Sequence, residues 1–313
     1  MGTPTDLTAL KGTITKTMLL PLLLLTANAL ATEVDSITIR TVTEDATEVL
    51  DQEMNRRIGK AIKKANRWGR CNERRLYSAL GDTLRAGPEG FFMVAPLENF
   101  ANWSRAVPKN GVARSKSIYS SVRVHESLPI TLYPLGKVLR VNDSIIAGDK
   151  FSHFFNVGWT YYNIHYVDEE AVTVALDYGD TTERLIWGLL TTGVYSWADL
   201  SANFSGMRFW ASVLGEPDVL HRELAPLVKC ESSKWVQGRE FTWTNWVSAA
   251  WDEGVNCNTY APRFADKIED VNKARVAKGL EICPMQPKAC PTITKAAGPF
   301  SNKLIHPICA GIQ

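Results

Sequence analysis

GDKFSHFFNVGWTYYNIHY, residues 148–166, decides how this chain folds. From Asp149 onward the pattern changes from short runs to long helices, and the first of them is expected over 149–166. Asp149 suits its N-cap. Asp149 and His153 are four apart and share a face, so the carboxylate could orient the imidazole or both could ligate a metal; a capping aspartate beside a buried histidine is the plain alternative.

Downstream the pattern stays helical, with helices expected over 169–190, 196–214 and 238–253. Eight of the ten tryptophans lie between Trp159 and Trp251, which places the centre of the core there. Upstream, Met54, Ile58, Ile62 and Ala65 form one helical stripe and Leu76, Leu80 and Leu84 a second, separated by Cys71 and Asn72, so a helical hairpin is expected. Residues 32–49 alternate imperfectly and read as an extended lead-in. Residues 87–90 (GPEG) read as a turn, and 118–141 as one or two short β-hairpins bending at 134–136 (PLG). The fold class is therefore mainly α: a single helical domain over 32–282 with a small β-hairpin element and a disulfide-stapled, irregular, Pro-rich C-terminal tail over 283–313.

The N-terminus carries a different signal. Lys11 and Lys16 precede the apolar run 18–31 (MLLPLLLLTANALA), which is too short for a stable membrane span and ends in the small-residue pattern Ala29-Leu30-Ala31. It reads as a signal peptide over 1–31, and the protein as periplasmic or secreted. All six cysteines, Cys71, Cys230, Cys257, Cys283, Cys290 and Cys309, follow this segment. An even number in an exported chain points to disulfides, with about 15 connectivities open to three bridges. Cys283, Cys290, His306 and Cys309 could also be drawn as a zinc site, but the oxidising compartment favours structural bridges. Three sequons, at Asn102, Asn142 and Asn203, matter only in a glycosylating host.

The formal net charge of +2 drops by one when Lys11, Lys16 and Asp6 leave with the signal segment, so global charge predicts no nucleic-acid partner. Locally, Arg56, Arg57, Lys60, Lys63, Lys64, Arg67, Arg70, Arg74 and Arg75 crowd twenty residues holding one acid, Glu73. That run is either a solvated helix face or a contact for a partner or a membrane surface.

Three segments could carry chemistry. The first is 148–154, around Asp149 and His153. The second is 191–200 and its continuation, where Ser196 and Asp199 form a capping-box variant and Asp199, Asn203 and Gly206 line one face of the following helix. The third is 246–256, where Asp252 and Glu253 are expected at the end of an aromatic helix, against its dipole, and need a positive partner such as Lys150, a basic residue or a metal. Trp197 and Trp251 could wall a sugar ring. There is no serine-hydrolase elbow, His-Glu-x-x-His, P-loop or dinucleotide fingerprint, and no cofactor is assigned.

The Asp-Lys-x-x-His-Phe string at 149–154 resembles that of VanZ-like membrane proteins and some small envelope lipoproteins. Together with the Ser-x-Ala-Asp-Leu segment at 196–200 it resembles a group of exported bacterial proteins of unassigned function, which transfers no activity. Glu183 followed by Thr-Gly-x-Tyr and another helix is loosely similar to lysozyme-like muramidases. That similarity implies Glu183 as general acid, with a pKa raised by burial near Trp187 or Trp197. These readings combine into a hydrolase acting on a cell-wall glycan, another envelope component or a small-molecule substrate, with His153 as base or metal ligand, Asp149 its orienter and Asp252 and Glu253 completing the site. The rival is a non-catalytic binding or structural module that uses the basic hairpin 56–75.

Overall fold

The computed structural model describes residues 33–40, 44–86, 94–185 and 188–311; the expected signal segment and the expected turn at 87–90 lie outside the described residues. Residues 33–40 run without regular structure apart from one turn, and the first helix, α1, spans Thr47–Ala65, so the lead-in is shorter than 32–49. Helix α2, Glu73–Leu84, packs back along α1, completing the expected hairpin. Asn72 caps α2 by accepting from the backbone N–H of Arg75 at 3.0 Å.

Short helices α3 (Pro96–Trp103) and α4 (Leu128–Leu132) follow. The region 118–141 corrects the hairpin expectation. Ser127 caps α4 and Pro129 sits in its first turn, which turns this stretch helical, and the hairpin forms later, between β1 (Val138–Val141) and β2 (Ser144–Ala147). Its tip is Asn142, at φ 55°, a conformation asparagine tolerates.

The stretch 150–167 is helical as expected and is labelled α5. Its winding alternates: α over Lys150–Ser152 and Gly158–Tyr162, π over His153–Val157 and Asn163–Val167. Such wide turns shift which side chains face inward and concentrate at functional sites. Helix α6, Val172–Leu185, and a π turn, Gly188–Thr192, lead into β3, Val194–Ser196, and then α7, Trp197–Ser212. Helices α5 and α7 cross where glycine meets glycine. A Cβ on Gly206 would fall 1.9 Å from the carbonyl oxygen of Phe154, and one on Gly158 would fall 2.6 Å from the Cα of Gly206. The close approach that Gly206 permits is thus to a helix.

On one side of this crossing lies an aromatic core. The Phe154 ring centroid is 4.9 Å from that of Phe155, 5.1 Å from Phe209, 5.2 Å from Trp243 and 5.5 Å from Trp251. Trp243 and Trp251 do not come from a helix, contrary to the expectation for 238–253, which holds only the 3-10 turns Trp243–Asn245 and Ala249–Trp251. The cause is local competition for backbone groups. Thr242 and Ser248 accept from the N–H of Thr244 and Ala250, and the Asp51 carboxylate takes the N–H of Trp243 and the hydroxyl of Thr242.

The described strands make three two-stranded antiparallel sheets, more β structure than one hairpin: β1–β2, β3 with β6 (Asn258–Tyr260), and β4 (Val228–Glu231) with β5 (Lys234–Gln237). Helix α8 spans Pro262–Val276. The C-terminal stretch is less irregular than expected, with helices α9 (Cys290–Ala297), α10 (Ser301–Leu304) and α11 (Pro307–Ala310). Its Cys290, Ile293, Leu304, Ile305 and Cys309 belong to the same core as α5 and α7. All six cysteines are bridged, as Cys71–Cys230, Cys257–Cys283 and Cys290–Cys309, so none of them is left for zinc. The bridges fit an exported protein. No helix among the described residues is long and apolar enough to cross a membrane.

Candidate functional site

Beside the aromatic core, the first turn of α5 sends Lys150 into the interior, where its side chain is 0% exposed. Its ammonium lies 2.5 Å from Asp199 Oδ1, 2.6 Å from Glu253 Oε1 and 3.2 Å from Asp149 Oδ2. A lysine is buried this completely only when ion-paired, and here burial, which would release its proton, is outweighed by Asp149, Asp199 and Glu253, which hold its pKa well above the ordinary value.

One turn on, His153 Nε2 lies 3.2 Å from Asp199 Oδ2, so Asp199 bridges the lysine and the histidine. Asp199 is placed by the capping box read in the sequence: Ser196 Oγ accepts its N–H at 3.2 Å. Burial alone would raise Asp199, but His153 and Lys150 pull it well below the carboxylate range. His153 is lowered by burial and raised further by Asp199, to about 10, so it is charged at neutral pH. The Asn203 amide, 3.0 Å from His153 Nδ1, bears on the same question. With its oxygen inward it accepts from the charged ring. With its nitrogen inward it also reaches the carbonyls of His153 (3.3 Å) and Asp199 (3.2 Å), which suits the neutral ring. The two amide orientations thus go with different protonation states of the ring, and the Asp199 carboxylate beside Nε2 favours the charged one.

The remaining expected residues divide. Glu183, on α6, joins the cluster: burial first, then Asp199, raise it to about 8. Desolvation and a neighbouring carboxylate do what the muramidase resemblance assigned to tryptophan. Glu253 joins through Lys150 and accepts from Asn258 Nδ2 at 2.9 Å; burial raises it, opposed by Lys150. Asp252 faces away, with its carboxylate 2.8 Å from Arg40 and 2.8 Å from the N–H of Gly254. Neither acid ends an α-helix, so the positive partners are side chains, Lys150 and Arg40, in place of the expected compensation for a dipole. Trp251 is 1% exposed inside the aromatic core, with its indole N–H on Ser205, and cannot wall a sugar. Trp197 is partly exposed and donates to Thr259 Oγ1 at 3.2 Å. The sequon residue Asn203 is 1% exposed, out of reach of glycosylation.

Two acids escaped the sequence reading. Glu98, on α3, receives a hydrogen bond from Ser152 Oγ and is raised to about 7 by burial and then by Asp149. Glu33, hydrogen-bonded to Thr192, is raised well above its ordinary value by burial and then by Glu253. Neither lies in a motif; they reach the site only through the tertiary fold. Six carboxyl groups therefore surround two cations, and the retained protons keep the charge near balance.

The cluster opens outward at Asp149 and His153, whose side chains are 31% and 18% exposed. One ligand atom each from Asp149, His153 and Asp199 lie within 4.8 Å of one another, close enough to hold a metal ion. The Lys150 ammonium already touches both carboxylates, so the chain supplies its own cation there. A separate cavity of about 130 Å³, lined by Ser201, Phe204, Ser205, Arg208 and Trp246 among others, shares no residue with this cluster. Compared with family models, curated proteins and solved structures, the chain matches none.

Proposed function

We propose that the Asp149–His153 opening is an acid–base site and the protein a hydrolase acting on a component of the cell envelope. The observation that carries this reading is the enclosed Lys150 with its three carboxylates. A buried ion cluster contributes little to stability compared with apolar residues of similar volume, so its retention beside a solvent-facing acid and base argues for chemistry. In this reading the Asp149 carboxylate takes a proton from an attacking water, and the His153 imidazolium gives its proton to the leaving group. This reverses the histidine's expected role, because its charge at neutral pH makes it a donor. Lys150 and Asp199 hold the pair in register, and Glu183 and Glu98 serve as buried proton reserves.

The test is release of soluble fragments from dye-labelled peptidoglycan and of acid from a panel of phospholipids and chromogenic esters. Wild type should release product from at least one, while Asp149→Asn and His153→Gln should lower the rate at least about a hundredfold with unchanged circular dichroism. Absence of turnover on every probe, or full activity in both variants, would sink the reading. The mutual pairing within the cluster favours a second reading, a polar structural core in a non-catalytic module, and that reading predicts stability losses in these variants with no turnover to lose.

A further inference from the structure

The charge that the proposed hydrolase reading leaves unused is on α1. Its buried stripe is Leu50, Met54, Ile58, Ala61, Ile62 and Ala65. On the opposite side, Arg56, Lys60 and Lys63, followed by Arg67 in the 3-10 turn Asn66–Trp68 that continues the helix, recur at intervals of four, three and four, one outward ridge about 16 Å long at about 1.5 Å per residue. The flanks of α1 are occupied. On one, Arg57 donates to the carbonyl of Thr83, and Lys64 pairs with Asp82, both on α2. On the other, Asn55 binds Gln237 and Asn66 clasps Trp235, both on β5. The ridge is thus the crest of a face three elements wide, α2–α1–β5, and the Cys71–Cys230 bridge fastens its end.

Arg56 pairs with Glu53. Lys60, Lys63 and Arg67, with Arg70 and Arg74 beyond the helix end, are exposed and have no carboxylate partner among the described residues. No acid occurs in sequence between Glu53 and Glu73. Like charges one turn apart oppose the helix, and Arg74 sits in the first turn of α2, where the dipole disfavours a cation. The C-terminal dipole of α1 favours Lys63 in its last turn, but no carboxylate among the described residues compensates Lys60, Arg70 or Arg74.

We infer that this face binds the surface of a bilayer carrying anionic phospholipid. A broad face whose cations stand on its crest presents them together to a planar array of headgroup phosphates. The attraction is electrostatic, about fivefold in affinity per basic residue, and confined to about a Debye length.

The experiment is co-sedimentation of the oxidised full chain with vesicles containing phosphatidylglycerol, against vesicles of phosphatidylcholine alone. Binding to the former only is expected, and it should vanish as ionic strength rises from about 0.1 M to about 1 M. The triple variant Lys60→Gln/Lys63→Gln/Arg67→Gln should bind about a hundredfold more weakly. Lys278→Gln/Lys288→Gln/Lys295→Gln removes the same charge from exposed positions elsewhere and should bind like wild type. Equal loss in both triples would reduce the effect to net charge and overturn the inference. So would salt-sensitive binding to soluble polyphosphate with none to vesicles, which would assign the face to an anionic polymer. Absence of binding to either vesicle overturns it as well. None of these residues touches the Asp149–His153 cluster, so the outcome is independent of turnover.

Discussion

Helix α5 serves two adjoining environments, an apolar side and a polar side, built on opposite rules. Phe154 and Phe155 lie among Phe209, Trp243 and Trp251, where each ring needs only volume and edge-to-face neighbours. Lys150 and His153 lie among six carboxyl groups, where each group needs a particular partner in a particular protonation state. The same few turns of helix supply both sides, and the π turn beginning at His153 carries residues of each. The comparison teaches that the apolar side holds the helix and the polar side is held by it. Errors on the first should cost stability at every pH, and errors on the second should cost stability that depends on pH.

The sharpest break acts on both sides together. Gly206→Ala would push a methyl into the backbone of Phe154, a contact that no side-chain rotation relieves. A loss at or above about 4 kcal/mol is expected, seen as a collapse of the urea midpoint together with both aromatic near-UV signal and any turnover. Unchanged stability would show that the helices do not cross this closely.

Next in size is a matched pair of substitutions. Lys150→Met removes the cation from between three carboxylates and should cost about 3 kcal/mol near neutrality. The cost should shrink on acidification, because Glu253, raised by burial, then takes up a proton that makes the ammonium unnecessary. Phe154→Ala should cost a similar amount, about 3 kcal/mol, with no such pH dependence. Denaturant midpoints of both variants at pH 5 and pH 8 separate the two; parallel behaviour would refute the contrast.

The smallest effect sharpens the polar side alone. Glu183 keeps its proton in the folded state up to about pH 8, whereas the unfolded chain releases it near the ordinary 4.5. The folded state binds the extra proton, so wild-type stability falls as pH rises through that window. Glu183→Gln removes this dependence while keeping an oxygen for the N–H of Ser196. Relative to wild type it should gain about 1 kcal/mol by pH 8, discounted for relaxation of the site, and lose the gain at pH 4. A melting-temperature series across that range checks it.

The apolar side was the more legible one in sequence. Helical spacing alone located α1, α2, α5 and α7, because a stripe of large side chains is a local property. Residues 238–253 misled for the same reason: tryptophans at helical spacing outweighed Thr242, Ser248 and the distant Asp51, whose hydrogen bonds break the helix. The hairpin β4–β5 gave no turn signal, since Ser232 and Ser233 adopt positive φ where glycine or asparagine is usual. On the polar side, Asp149 and Asp199 were readable from caps, His153 and Asn203 from their spacing to those two, Glu253 from an unfavourable helix end, and Glu183 only through a resemblance. Lys150 appeared only as a compensating charge, and Glu33 and Glu98 not at all, since burial and pairing across the fold leave no trace in spacing.

The disulfides have a consequence for how the protein is made. Taken in order along the chain, the six cysteines pair first with second, third with fourth and fifth with sixth. A chain that enters an oxidising compartment N-terminus first meets each correct partner before the next competitor arrives. With such a pairing order, a chain delivered in this way needs an oxidant but no shuffling of wrong bridges.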